Sequence, residues 1–392
     1  MSLSPTNKKR KLFVTTTASA DSSAGSACSA SSHSSCSLNQ SSSSSLENNH
    51  TTACSSSASS IIEHHHDLLM DDVIYEILCF LDSTFIIKVC MKISRQWREK
   101  SFQIPLTLSI NANTQKVIFS ESEIAASIAN SESLKNLTSL ELKNYGIGSK
   151  EAKYILNSQN LKNLTSLGLG SNLIKSKGVK FVANSKYLKN LTCLDLSNND
   201  IGPQGAEFIS NSENMKKLNI LNLCDNEIGS AGAKYIANSE YLKNLTLLDL
   251  YGNEIGSKGV NYLANSQHLS KLISLDLTSN SIDNALLIAG SSTLKNLTFL
   301  NLSNNSVDSE GVKHIANSEY MNNLTSLDLS CNDIDATCVN VIANSKNLKN
   351  LTFLDLSFNN IPSKNGRSVV KAFESINFQL VERLRFKKNP NH

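Results

Sequence analysis

The stretch Leu191-Thr192-Cys193-Leu194-Asp195-Leu196-Ser197-Asn198-Asn199-Asp200-Ile201 decides the fold. Its pattern, Leu-x-x-Leu-x-Leu-x-x-Asn-x-Ile, begins nine times in the chain, at Leu137, Leu164, Leu191, Leu218, Leu245, Leu272, Leu297, Leu324 and Leu351. Successive copies start 27 residues apart, except that 25 residues separate Leu272 from Leu297. A fixed period of this length predicts a solenoid, in which each unit packs only against its neighbours. Such an array argues against most enzyme folds, and we expect a protein that binds another protein without chemistry or a cofactor of its own.

The leucines at positions one, four and six of each unit are predicted to point into the core. The central x-Leu-x-Leu is then a short strand with alternating faces, and stacked units form one parallel sheet. The ninth position is Asn in all units but the first, where Tyr145 stands instead. A buried Asn can bond backbone groups where the chain leaves the strand, so that none is left unpaired.

Each strand is predicted to lead through a glycine-rich turn into a helix. In one unit the turn is Ile255-Gly256-Ser257-Lys258-Gly259, and Val260, Leu263 and Ala264 then face the core. A repeat of about 27 residues with a full helix resembles the ribonuclease-inhibitor class of leucine-rich repeats. The resemblance implies an α/β solenoid, a curved leucine-rich-repeat array with an inner parallel sheet and outer helices.

The first 62 residues are rich in serine and poor in large apolar residues, so we expect a disordered arm. The run Lys8-Lys9-Arg10-Lys11 within it resembles a short nuclear import signal, and a solvated charge run is the alternative. Nine scattered cysteines without a Cys-x-x-Cys pair indicate free thiols in a reducing compartment. We therefore expect a cytoplasmic or nuclear protein and no metal site. The net charge of +3 indicates no nucleic-acid partner, and no apolar run is long enough to span a membrane.

Residues 67–101 have the apolar spacing of two or three short helices, with too few residues to form much of a core. The stretches 69–81 and 85–98 look like the two halves of an F-box, with Val89-Cys90 and Trp97 in their usual places. Met70 stands where the family has proline. The resemblance implies a small all-α F-box that binds the Skp-type adaptor of a cullin ubiquitin ligase, through Leu69, Ile77, Leu78, Leu81 and Trp97. The alternative is an ordinary helical cap on the solenoid.

The remaining boundaries follow from the repeat pattern. Residues 102–133 are predicted to form an N-terminal cap, in which Leu106, Leu108 and Ile110 alternate as in a strand. Residues 134–376 hold the repeats, and residues 377–392 form a C-terminal cap and tail.

The fifth position of each unit is predicted to face out from the sheet, and it is acidic in most units. We expect this face to bind a protein substrate with a basic surface. The candidate contacts are these carboxylates and nearby aromatic residues: Asp195, Asp249, Tyr251, Asp276, Phe299, Asp328, Phe353, Asp355 and Phe358. A second set lies two residues before each unit, as a ridge of lysines at Lys135, Lys162, Lys189, Lys216, Lys243, Lys295 and Lys349. The alternative is that Leu-Asp-Leu is only a consensus of the repeat.

Together these patterns favour a substrate receptor of a Skp–cullin–F-box ubiquitin ligase, in which the F-box holds the adaptor and the solenoid holds the substrate. A leucine-rich-repeat scaffold or inhibitor without a ligase is the second interpretation. The third is a relative of the Ran GTPase activators, which share this repeat class. Their acidic C-terminal tail has no counterpart here, since Phe386-Lys387-Lys388 is basic.

Overall fold

The computed structural model describes residues 95–361, except 102 and 112–119, together with Leu78 and Ile86. Contacts divide the chain into residues 1–63 and residues 64–392, and every described residue lies in the second unit. The serine-rich arm, most of the F-box-like segment and the C-terminal cap lie outside the described residues. So do the predicted adaptor contacts Leu69, Ile77 and Leu81.

Within the described residues, ten parallel strands form one sheet, and each is hydrogen-bonded to the next in chain order. The strands are β1 Leu106–Asn111, β2 Leu137–Lys143, β3 Ser166–Gly168, β4 Cys193–Asp195, β5 Ile220–Asn222, β6 Leu247–Asp249, β7 Ser274–Asp276, β8 Phe299–Asn301, β9 Ser326–Asp328 and β10 Phe353–Asp355. Their order confirms the predicted parallel sheet of stacked repeats. Strand β1 pairs with β2, and the alternating leucines of the N-terminal cap therefore begin the sheet.

From β2 to β10 the strands stack without a change of register, whereas the β1–β2 pair shifts register between Leu106 and Thr107. Leu167 pairs with Leu194, Leu194 with Leu221 and Leu221 with Leu248, so that the fourth-position leucines form a continuous row. The leucines at positions one and six form parallel rows, and all three rows are buried. Because the side-chain period of a strand is two, this register places every third- and fifth-position side chain on the opposite face.

Helices return the chain from one strand to the next. They are α1 Arg95–Ser101, α2 Glu121–Asn130, α3 Ser149–Leu156, α4 Lys175–Ala183, α5 Gly202–Ser210, α6 Gly229–Ala237, α7 Gly256–Ala264, α8 Leu286–Ala289, α9 Ser309–Asn317 and α10 Val339–Ala343. The two residues missing between Leu272 and Leu297 shorten α8 to four residues, against nine in α7. Short 3₁₀ turns at Glu132–Leu134, Gln159–Leu161, Glu213–Lys217, Glu240–Leu242 and Glu319–Met321 place one buried Leu or Met before the next strand.

The predicted glycine turn at residues 256–259 is the first turn of α7 rather than a loop. Gly256 has a φ of +60°, a conformation that favours glycine, and it begins the helix. Gly259 faces the core, where an added Cβ would overlap Ile255 Cγ2 and lie 3.1 Å from Ala233 Cβ of the preceding helix. The second glycine is therefore required for close packing of α6 against α7.

The ninth-position asparagines join neighbouring repeats, as predicted. Asn253 is fully buried, and its Nδ2 donates to the carbonyl oxygens of Leu223 (2.8 Å) and Tyr251 (2.9 Å). Its Oδ1 accepts from the backbone N–H groups of Asn226 (3.2 Å) and Ile228 (3.3 Å) in the preceding repeat. One side chain thus satisfies four backbone groups where no strand or helix supplies partners.

A row of serines forms a second ladder, on the helix side of the core. Ser185 Oγ donates to the carbonyl of Leu156 at 2.7 Å, and Ser212 Oγ donates to that of Ala183 at 2.6 Å. These carbonyls belong to the ends of the preceding helices, which have no intrahelical donor. The sequence pattern alone did not reveal this function of the serines.

The described part of the F-box-like segment packs on the repeat core. Leu78 and Ile86 are buried in the same apolar cluster as the repeats, and Trp97 of α1 packs partly buried against it. Leu78 was assigned above to the adaptor contact. Its fully buried side chain instead stabilises the core, because it has no surface on which to meet a partner.

Candidate protein-binding face

The strand register brings the fifth-position side chains into one line on the open face of the sheet. Asp195 pairs with Asn222, Asn222 with Asp249, and Asp249 with Asp276; Asn301 then pairs with Asp328, and Asp328 with Asp355. Neighbouring strands lie about 4.8 Å apart, so Asp249 and Asp276 are adjacent. We call the carboxylates Asp195, Asp249, Asp276, Asp328 and Asp355 the acidic column.

Each carboxylate of the acidic column accepts a hydrogen bond from the backbone N–H two residues later. Asp195 accepts from Ser197 at 2.8 Å, Asp249 from Tyr251 at 3.1 Å, and Asp276 from Thr278 at 2.9 Å. Asp328 and Asp355 make the same bond to Ser330 and Ser357. The acid therefore holds the chain as it leaves the strand, in the manner of an Asx turn.

Asparagine makes this turn equally well. Asn222 Oδ1 accepts from the Cys224 N–H at 2.9 Å, and Asn301 Oδ1 accepts from the Ser303 N–H at 2.9 Å. The turn requires only a side-chain oxygen, not a negative charge. The five carboxylates of the acidic column are thus not explained by folding alone, which argues against a simple consensus.

Burial in the acidic column disfavours the ionised form of its carboxylates. Burial, followed by the charge of Asp276, raises the pKa of Asp249 to about 7. Burial also raises the pKa of Asp276 and of Asp328, and burial together with Asp195 raises that of Glu141 in β2. A cation beside these groups would favour their ionised form.

Most members of the acidic column are half-buried, as expected for side chains on an open sheet face. Asp355 is different, because it is only 7% exposed. The prediction that this residue faces out for a partner therefore does not fit the structure, since its side chain is buried.

The predicted aromatic contacts lie on or beside the same face. Tyr251 is 38% exposed just after β6, and Phe358 is 37% exposed in the loop after β10. Phe299 and Phe353 occupy third positions, in β8 and β10, and are half-buried. Ile220 and Leu247 are further apolar third-position residues that were not among the predicted contacts, although the two-residue period of a strand places them beside the acidic column.

An acidic cleft lies beside the column, where the loops leave the strands. It has a volume of about 480 Å³ and is lined by Asn172, Leu173, Asn198, Asp200, Asp225, Glu227, Gly252 and Glu254. The tenth-position residues Asp200, Glu227 and Glu254 have φ values between 53° and 60° there. The cleft extends the negative charge of the sheet face to its loop edge.

Among the residues that the structure describes, no three His, Cys, Asp or Glu side chains are arranged to hold a metal ion. None of the described helices is both long and apolar enough to cross a membrane.

Comparison with known proteins supports the repeat assignment. A family model described as a leucine-rich repeat matches residues 187–210, 214–237, 241–264, 293–316, 320–337 and 347–363. The matches omit residues 265–292, which include the shortened helix α8. No F-box model matches the chain. Among curated proteins, none matches the sequence.

Among solved structures, an internalin from Listeria monocytogenes aligns with 78% of this chain and 95% of its own, at 21% identity and a TM-score of 0.43.

Proposed function

We propose that this leucine-rich-repeat protein is a binding scaffold whose open sheet face holds a basic segment of another protein. One observation carries the proposal: the acidic column has carboxylates at positions equivalent to those where Asn222 and Asn301 make the same turn without an acid. Side chains of one sign in a line steer partners of the opposite sign and select against others. The exposed ring of Tyr251 beside the column supplies an apolar anchor.

The paired variant Asp249→Asn and Asp276→Asn tests this proposal without disturbing the turns. Wild type and variant would be screened against the same library of displayed random peptides. We expect the wild type to select peptides rich in Lys and Arg, and we expect the variant to lose that selection. With a selected peptide, the variant should associate more slowly, because surface charges act mainly on the association rate. Phe353→Ala should instead hasten dissociation.

The lysine ridge supplies the matched control. Lys189, Lys216 and Lys243 are exposed and precede the first strand residue of their units. Changing these three to Gln should leave binding of the selected peptide unchanged. If the lysine changes abolish binding and the carboxylate changes do not, the sheet face is not the site.

We further propose that residues 67–101 bind a Skp-type adaptor, which would make the chain the substrate receptor of a cullin ubiquitin ligase. This rests on the F-box resemblance at residues 69–81 and 85–98. It is supported by the partly exposed Trp97, which packs on the repeat core and so holds α1 against the repeats. In such a ligase the solenoid would raise the effective concentration of the substrate.

Copurification with the adaptor tests the ligase proposal. Leu81→Asp should abolish it, because a charge placed in an apolar contact costs several kcal/mol. The circular dichroism of the solenoid should stay unchanged. Adaptor binding that survives Leu81→Asp would favour a scaffold or inhibitor outside a ligase. A GTPase assay with Ran would test the third interpretation, in which the protein is a relative of the Ran GTPase activators.

A further inference from the structure

A row of aromatic side chains runs along the helices, on the opposite side of the repeats from the acidic column. The row has one ring per helix from α3 to α7, always 27 residues apart: Tyr154, Phe181, Phe208, Tyr235 and Tyr262. These residues lie on the outer side of helices whose other faces are buried. Tyr154 is 59% exposed and Tyr235 is 37% exposed. We call this set the aromatic row.

Lysines connect the aromatic row from one repeat to the next. The Nζ of Lys153 lies 5.6 Å from the ring centre of Phe181, that of Lys180 lies 5.6 Å from Phe208, and that of Lys234 lies 5.7 Å from Tyr262. Each is within the range of a cation–π contact. In each pair the lysine precedes the aromatic residue of its own helix and reaches the ring of the following one.

One helix of the row lacks this lysine, and the ring of the helix that follows it is open. Glu207 occupies the lysine position in α5, so no lysine covers Tyr235 of the next helix. Tyr235 is accordingly exposed, whereas Phe181, Phe208 and Tyr262 are half-buried. The row therefore contains three rings that contact a cation, Phe181, Phe208 and Tyr262, and two open rings, Tyr154 and Tyr235.

The charge around the aromatic row is positive. Helices α3 to α7 together carry seven lysines and two glutamates. Among the described residues, no carboxylate forms an ion pair with Lys153, Lys180 or Lys234. These three ammonium groups each contact a ring and keep donors free for an acceptor from outside.

We propose that the aromatic row is a second interaction surface, which binds an extended acidic segment of a partner protein. Carboxylates of the segment would pair with Lys153, Lys180 and Lys234, and its apolar side chains would pack on Tyr154 and Tyr235. A single-stranded nucleic acid fits less well, because the lysines cover the ring faces on which bases would stack. The two open rings lie three helices apart, about 24–30 Å at the usual helix spacing, which is too far for successive bases.

The spacing of the helices sets the pattern of the segment. Packed helices lie about 8–10 Å apart, which matches one turn of a polyproline II chain, three residues at about 3.1 Å each, and this turn returns every third side chain to the same face. Acidic residues at the first, fourth and tenth positions of the segment would therefore meet Lys153, Lys180 and Lys234, and the seventh position, opposite Glu207, would be neutral. About 12 residues would span the row from α3 to α7.

The test measures binding of a fluorescent peptide of about 12 residues with Glu at its first, fourth and tenth positions and Leu or Pro elsewhere, a length set by the rise of about 3.1 Å per residue. The full chain would be compared with a variant carrying Lys153→Gln, Lys180→Gln and Lys234→Gln. We expect affinity to fall at least about tenfold, which corresponds to about 1.4 kcal/mol. Tyr235→Ala should hasten release, since an apolar anchor acts mainly on dissociation.

Lys189→Gln, Lys216→Gln and Lys243→Gln form the matched control, because they remove the same charge from the lysine ridge. We expect this control variant to lose less than about twofold in affinity for the peptide. Equal losses in the two triple variants would mean that net charge alone binds the peptide, and would overturn the proposal. So would no binding, or tighter binding of an oligothymidylate that competes with the peptide. Asp249→Asn with Asp276→Asn should leave this peptide bound, which separates the result from the test of the sheet face.

Discussion

Replacing Asn253 by alanine tests the ladder that joins the repeats. The side chain is fully buried and makes four hydrogen bonds to backbone groups. The two carbonyls keep other donors: Leu223 O accepts from Asn226 Nδ2, and Tyr251 O accepts from the Asp225 N–H. The N–H groups of Asn226 and Ile228 have no second acceptor among the described residues.

The expected loss follows from these two orphaned donors. A buried polar group without a partner costs about 1–3 kcal/mol, so Asn253→Ala should lower the free energy of unfolding by about 2–6 kcal/mol. The matched control is Asn322→Ala, at an exposed residue in ordinary helical conformation, where about 0.5 kcal/mol or less is expected. Its side chain bonds no other described residue, and only its backbone carbonyl is used, by Asn350 Nδ2.

Urea unfolding of both variants, followed by circular dichroism, measures the difference. Because repeat arrays can unfold in parts, the denaturant dependence of each transition must be reported along with its midpoint. A loss for Asn253→Ala no larger than that for Asn322→Ala would refute the assignment of this ladder as the connection between repeats.

Four further substitutions test three other features. Gly259→Ala should destabilise the protein by about 1–3 kcal/mol through overlap with Ile255 and Ala233. Gly256→Ala has open space around it but a φ of +60°, so it should cost about 1 kcal/mol from backbone strain. Thermal unfolding compares the two variants, and an unchanged stability of Gly259→Ala would contradict the close helix packing. The folded pKa of Asp249 is about 7 and lies above its unfolded value, so the folded state binds the extra proton, and stability should fall as pH rises from about 4 to 7 and stay level above pH 7. Asp249→Asn should remove much of this fall, as measured by urea unfolding across that pH range. An unchanged pH profile would contradict the buried position of Asp249. Ile273 is 45% exposed and stands where most units have Thr. The Oγ1 of that Thr donates to a carbonyl of the preceding repeat, as Thr325 Oγ1 does to Thr298 O at 3.0 Å. Ile273→Thr should therefore add such a hydrogen bond and about 0.5–1 kcal/mol of stability, and a lower melting temperature would contradict this stabilising effect of the threonines.

Periodicity alone predicts the repeat architecture because the same inward leucines recur in every unit. The strand, the buried Asn253 and the parallel order all follow from one unit copied nine times. The serine ladder could not be predicted in this way, since Ser212 bonds the carbonyl of Ala183 in a neighbouring repeat, and the local sequence does not indicate that partner. Only the three-dimensional register brings the two together.

The candidate site was predictable in part. The alignment of Asp249 with Asp276 follows from the repeat length, and so does their shared face. What the pattern left undecided is whether the acid serves the turn or a partner. The hydrogen bonds of Asn222 and Asn301 separate these functions, because they show the turn formed without charge. Burial at Asp355 and at Leu78 depends on tertiary packing, which residue type alone does not determine.

The short helix α8 also has a consequence for how the array holds together. In a solenoid, total stability is close to a sum of the stability of each repeat and the coupling between nearest neighbours. The sheet runs unbroken through β7 and β8, but the helix layer narrows to the four residues of α8. Coupling across α8 is therefore weaker than coupling between the repeats on its N-terminal side. The array should unfold as two blocks that part at this boundary, and backbone amides on either side should exchange with solvent at different rates.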